Sequence, residues 1–82
     1  MVLWISDDFI LKNGSICVWS NTYNNYKHLA LAKIACSHDN QCAGIYEEIC
    51  DISGTYQLCK HGFVTPEAPV PSCIYKRKEQ NG

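Results

Sequence analysis

The sequence predicts an α+β domain, one helix set among short strands and stapled by disulfides. Three observations carry the prediction. Six cysteines, Cys17, Cys36, Cys42, Cys50, Cys59 and Cys73, are spread along 82 residues. One stretch, 26–38, has the Ala, Leu and Lys content of a helix. Around it, β-forming runs alternate with turn signals such as Asn13-Gly14, Ser53-Gly54 and the prolines at 66, 69 and 71.

The length bounds the rest. Residues 1–82 make a single domain, because a second would leave each half too little surface to bury. A chain this short hides only about 60 to 65% of its unfolded surface, so its interior alone gives a thin margin of stability. An even number of dispersed cysteines supplies the missing constraint and points to a secreted protein in an oxidising compartment. No run of eighteen apolar residues exists, so membrane insertion is not expected. The apolar start at Met1 is broken by Asp7 and Asp8, and a secreted form is expected to have lost its leader already. A net charge of −1 offers no electrostatic footprint for nucleic acid, which is not expected as a partner.

Along the chain, residues 9–12 and 15–19 flank Asn13-Gly14, a pair suited to a type I′ turn, which predicts an N-terminal hairpin. Asn13-Gly14-Ser15 is also a glycosylation sequon, making Asn13 a modification candidate. The polar stretch 21–25 is rich in cap formers and is read as a loop leading into the helix. At about 100° per residue, His28, Leu31, Ala32, Ala35 and Cys36 share one helix face, with Leu29 at its edge and Lys33 elsewhere. Asp39-Asn40 ends the helix, and 42–49 reads as a strand. A third strand region covers 55–60 and is closed by His61-Gly62. Prolines make 65–72 an extended loop rather than a central strand. Strand character resumes at 73–78, where Lys76-Arg77-Lys78 leads into a polar tail expected to fray.

Six cysteines permit fifteen pairings, and sequence alone does not choose among them. Spacing favours three. Cys36 at the helix end and Cys42 at the strand start have five residues between them, enough to turn and meet. Cys50 and Cys59 flank the Ser53-Gly54 turn, which leaves Cys17 with Cys73, the longest loop.

Four segments carry a family resemblance: Ala32-Lys33-Ile34-Ala35-Cys36, Cys42-Ala43-Gly44-Ile45-Tyr46, Tyr56-Gln57-Leu58-Cys59 and Ser72-Cys73-Ile74-Tyr75-Lys76. In this order they resemble the PAN/apple family of extracellular modules, over about half the chain. The resemblance implies an antiparallel sheet cradling one helix, with disulfides pinning helix to sheet and often one more joining the ends. It also implies a module that binds protein or carbohydrate and has no catalytic residues. Many members carry two helix cysteines one turn apart, whereas Ala32 stands four before Cys36 here. By the family pattern, Cys36 has Cys59 as an alternative partner to Cys42.

Catalysis and metal binding find little support. No Gly-x-Ser-x-Gly or catalytic cysteine signature is present, so no enzyme is expected. Asp7-Asp8 and Glu47-Glu48 are adjacent carboxylates, but strand neighbours face opposite ways, and a solvated edge explains them. Cys36, His38, Cys42, Cys50, His61 and His28 lack the Cys-x-x-Cys spacing of a zinc site, and no Asp-x-Asp-x-Asp-Gly calcium loop exists. No metal or cofactor is therefore expected.

Aromatic residues point instead to binding. Trp4, Trp19, Tyr23, Tyr26, Tyr46, Tyr56 and Tyr75 are more than so small an interior encloses. Trp19, Tyr46 and Tyr56 are expected beneath the sheet, while Tyr23 and Tyr26, beside the Asn-rich stretch, are the better contact residues. Lys60, His61 and the basic trio 76–78 suit sulfated or sialylated glycans. The expected function is recognition of carbohydrate or extracellular protein in adhesion, matrix or host contact, with Tyr23, Tyr26, Lys60 and His61 as ligand-binding residues. Two alternatives stand beside it: a structural matrix protein, self-associating into a homo-oligomer, and a toxin or protease inhibitor acting through the 65–72 loop.

Overall fold

A computed structural model describes residues 9–18, 21–50, 55–60 and 62–78. The elements run β1 (Phe9–Asn13), β2 (Ile16–Cys17), β3 (Thr22–Tyr26), α1 (Leu29–Ser37), β4 (Cys42–Glu47), β5 (Tyr56–Lys60), β6 (Phe63–Val64) and β7 (Cys73–Arg77). Five of the strands form one antiparallel sheet in the order β1-β7-β4-β5-β3. The remaining two, β2 and β6, pair into a small antiparallel ribbon. With α1 packed on the large sheet and three disulfides, the α+β architecture is as expected: an antiparallel sheet cradling one helix among the described residues.

Strand alternation divides the interior in two. On the helix side lie Phe9, Ala32, Cys36, Cys42, Ile45, Tyr56 and Leu58, with Tyr23, Tyr26, Leu29, Ala35 and Tyr75 packed against them. On the other side Cys17, Cys59 and Ile74 are buried together with Tyr46 and Phe63, beneath the ribbon. Neighbours such as Leu58 and Cys59, or Tyr75 and Ile74, thus serve opposite faces, as the pleat requires. Full burial of Ile45, Leu58 and Ile74 contributes about 1.5 to 3 kcal/mol each. Tyr56 is buried and Tyr46 half-buried against the second cluster, whereas Trp19 lies outside the described residues.

Several expectations are corrected. The N-terminal hairpin does not form: β1 pairs with β7 and β2 with β6. Of the Asn13-Gly14 pair, only Gly14 adopts positive φ, +78°, and its N–H donates to the Ser72 carbonyl at 2.9 Å. Gly14 is therefore a crossing point between two sheets rather than half of a type I′ turn, which needs positive φ at both positions. Asn13 is exposed at the end of β1, but the sequon's Ser15 is buried.

The stretch 21–25, read as a loop, is largely β3, the strand that pairs with β5 through a bulge at Asn24, whose φ is 59°. The helix accordingly begins at Leu29 rather than at 26, with His28 as an N-cap that makes no side-chain capping bond. Its buried stripe is Ala32 and Cys36 flanked by Leu29 and Ala35, while His28 and Leu31 are exposed. Lys33 is drawn inward, its Nζ 5.9 Å from the ring centroids of both Phe9 and Tyr75. Glu47 is no solvated edge residue. It occupies the central strand β4 and is 0% exposed, while Glu48 beside it faces water.

Of the three favoured bridges, Cys36–Cys42 is present and the other two are exchanged, the observed pairs being Cys17–Cys59 and Cys50–Cys73. Topology explains the exchange. Pairing of Glu47 with Cys73 sets the end of β4 beside the start of β7, where Cys50 meets Cys73. The ribbon carries Cys17 across the open face of the sheet to Cys59.

The strand expected over 73–78 is β7, while the polar tail after it lies outside the described residues. Arg77 ends β7, and its Nη1 donates to the carbonyls of Cys36, Asp39 and Cys42 at 3.0, 2.9 and 3.3 Å, its Nη2 to that of Ser37 at 3.2 Å. The guanidinium thereby adds donors to carbonyls at and just past the helix C-terminus, where positive charge is also favoured by the helix dipole.

Candidate functional site

Among the described residues, two clefts stand out. The first encloses about 610 Å³ at one end of strands β3, β5 and β4. Its floor follows from the sheet register: Asn25 stands opposite Gln57, and Gln57 opposite Tyr46. Cross-strand partners share a face, so two amides and one phenol ring form a row across three strands. Around the row stand Tyr26, Lys27, Glu48, Ile49 and Thr55. Ile49 is 55% exposed, an apolar wall beside polar groups.

Tyr46 is the fixed member of this row. Its ring packs against the second buried cluster, near Ser72, whose hydroxyl donates to the Ser15 carbonyl at 2.9 Å. Burial of the ring and the nearby Glu48 carboxylate raise the Tyr46 pKa above the usual phenol value, so it stays a neutral hydrogen-bonding group. A cleft of this size, part apolar and part amide, matches sites that take small ligands.

The second cleft, of about 540 Å³, is lined by Asn40, Ala43, Gly62 and Phe63 together with Lys76, Arg77 and Lys78. It lies at the opposite end of the sheet, where β4 begins and β7 ends. Gly44 makes it possible. A Cβ there would stand 2.7 Å from Phe63 Cζ and 2.7 Å from the Tyr75 carbonyl oxygen, so only glycine lets the Phe63 ring lie against the sheet.

The expected ligand-binding residues are divided between places. Tyr26 lines the first cleft. Tyr23, near the other end of β3, serves a structural contact instead, its hydroxyl donating to Asp39 Oδ2 at 2.6 Å. Burial, with this bond to a carboxylate, pushes the Tyr23 pKa well above the usual phenol range. Lys60 Nζ stands 5.9 Å from the Tyr23 ring centroid, so the structure brings those two together and away from Tyr26. His61 lies outside the described residues. Tyr46 and Gln57 were legible only as strand positions and Asn25 only as part of a loop, because their juxtaposition depends on register.

Glu47, Cys50 and Cys73 place one carboxylate oxygen and two sulfurs within 4.8 Å of one another. Both sulfurs belong to one disulfide, so they offer no thiolate and the group does not fit a metal ion. Among the described residues, no helix is long and apolar enough to cross a membrane. The three disulfides fit an oxidising compartment.

No protein-family model, curated protein or solved structure matches the chain.

Proposed function

We propose that this chain is a secreted, non-catalytic module of PAN/apple type that recognises carbohydrate through the first cleft. The observation that carries the reading is the row Asn25, Gln57 and Tyr46. Planar amides donate and accept side by side, which suits neighbouring hydroxyls on a sugar ring, and an aromatic face covers the apolar C–H side of the same ring. Lys27, Glu48 and Thr55 add further polar groups at the rim. A five-stranded sheet holding one helix, and the Cys36–Cys42 bridge from helix to sheet, support the family part of the proposal.

A glycan array followed by titration calorimetry tests it. Binding to at least one neutral glycan is expected, and Gln57→Ala or Asn25→Ala should each weaken it about fivefold or more, the loss of roughly 1 kcal/mol typical of an anchoring contact. An array without any hit, or affinities unmoved by both substitutions, removes the cleft from consideration.

The inhibitor reading keeps one observation in its favour. Residues 67–69 of the proline-rich loop are exposed, while its base is fixed by the Cys50 N–H to Pro71 carbonyl bond and the adjacent Cys50–Cys73 bridge. A rigid base under an exposed apex is how a pre-organised segment lowers the entropy of docking. Inhibition across a protease panel would favour this reading over sugar recognition.

A further inference from the structure

The second cleft holds a concentration of charge that the first lacks. Lys76 and Lys78 are two residues apart, both exposed, and both line it. Arg77 between them directs its guanidinium to carbonyls at the helix end, leaving the two ammonium groups as the cleft's available cations among the described residues. Lys12 extends the basic row: it pairs with Ile74 on β1, two positions along β7 from Lys76. No acidic side chain is among the residues that line the cleft. The Asp39 carboxylate lies outside this lining and is turned to the Tyr23 hydroxyl at 2.6 Å and the Gln41 N–H at 2.9 Å. Beside the lysines lies an apolar floor, the Phe63 ring against Gly44 with Ala43 next to it.

From this geometry we propose that the second cleft is an oxyanion site for acidic sugars, in which Lys76 and Lys78 hold a sulfate or carboxylate group while Phe63 covers the sugar ring. Paired cations beside an aromatic face distinguish such a ligand from a bare anion, which has no ring to cover, and from a neutral sugar, which has no charge to hold. With a net charge of −1 the molecule as a whole repels polyanions slightly, so attraction is confined to this patch. The site stands apart from the neutral-sugar reading of the first cleft, and the two fail separately.

Affinity should be measured for dextran sulfate, polygalacturonate, neutral dextran and an oligothymidylate on the intact disulfide-bonded chain. Expected is binding of dextran sulfate, polygalacturonate or both, with neutral dextran at least tenfold weaker, and steep weakening as NaCl rises. Whichever polymer binds identifies sulfate or carboxylate as the preferred group. Lys76→Gln with Lys78→Gln should lower that affinity at least tenfold. The charge-matched pair Lys33→Gln with Lys60→Gln, on the helix side, should change it less than twofold. The Lys76/Lys78 double variant should leave unaltered the binding of any neutral glycan held by the first cleft, which separates the two sites. Equal affinity of the Lys76/Lys78 variant and the parent, equal binding of dextran and dextran sulfate, or oligothymidylate bound as tightly as either polysaccharide would overturn the assignment.

Discussion

Asp39 accepts two hydrogen bonds at once, from the Tyr23 hydroxyl and the Gln41 N–H, and this ties β3 to the turn that leaves the helix. The Tyr23 bond first, then the Gln41 bond and the Arg77 charge, hold its pKa below the ordinary value of 3.8. A carboxylate with a depressed pKa adds stability above that value and loses it as pH falls through the folded pKa. Tyr23 has the opposite sign: its raised pKa adds stability below the ordinary 10.0, which is lost as pH climbs beyond it. Melting temperature against pH should therefore fall on both flanks, below about pH 4 and above about pH 10. Tyr23→Phe should flatten both flanks, since it removes the titrating phenol and the bond that depresses Asp39. An unchanged profile in the variant would show that the pair contributes nothing.

Among elements, the helix end illustrates how long-range structure completes what local sequence leaves open. α1 has no acidic residue in its first turn, no basic residue in its last and no side-chain N-cap. Its last two carbonyls, those of Cys36 and Ser37, accept from Arg77, 41 positions away from Cys36. Arg77→Met preserves the aliphatic stem and removes the donors. Chemical denaturation should then show a loss of about 2 kcal/mol, the scale of charged hydrogen bonds at a helix terminus. Arg77→Lys should recover only part of it, because an ammonium does not reproduce the planar fork.

The same scale shows why some elements were legible and others not. Strands β4, β5 and β7 carry their own alternation and turn signals, and the sequence placed them within about two residues. The prolines also marked 65–72 correctly as irregular. By contrast, Asn21 to Asn25 favour caps and turns locally, yet Thr22, Tyr23 and Tyr26 find partners on β5 and the segment becomes a strand. Asn13-Gly14 is a strong hairpin signal whose flanks chose other partners. Glu47 looked like a surface acid because nothing in its immediate neighbours announces that β7 and β5 will enclose it. The first cleft was half legible. Tyr26 could be named in advance, while Asn25, Gln57 and Tyr46 become a site only through the register of three strands.

For the molecule as a whole, the bridges differ in how much of the chain they constrain. Cys17–Cys59 spans 42 positions, Cys50–Cys73 spans 23 and Cys36–Cys42 only 6. By the chain-entropy model these loops correspond to about 3.9, 3.4 and 2.2 kcal/mol. Replacing each pair with alanine and measuring thermal unfolding should rank the losses in that order. Cys17–Cys59 also packs between sheet and ribbon, so its removal opens a gap in the second buried cluster as well. Should the Cys36–Cys42 variant prove the least stable, local packing at the helix end outweighs loop length.

The adjacency of β1 and β7 sets a condition on how this protein comes into being. During synthesis, residues 9–13 must wait for 73–77 to emerge, because the neighbour of β1 in the large sheet is its last strand. Until then its backbone amides are unmatched and available to other chains, the hazard of any exposed strand edge. Contacts this distant in sequence also slow folding. A ribosome stalled before residue 73 would thus present a strand with no native place to go, and oxidative folding helpers have most to offer during that interval.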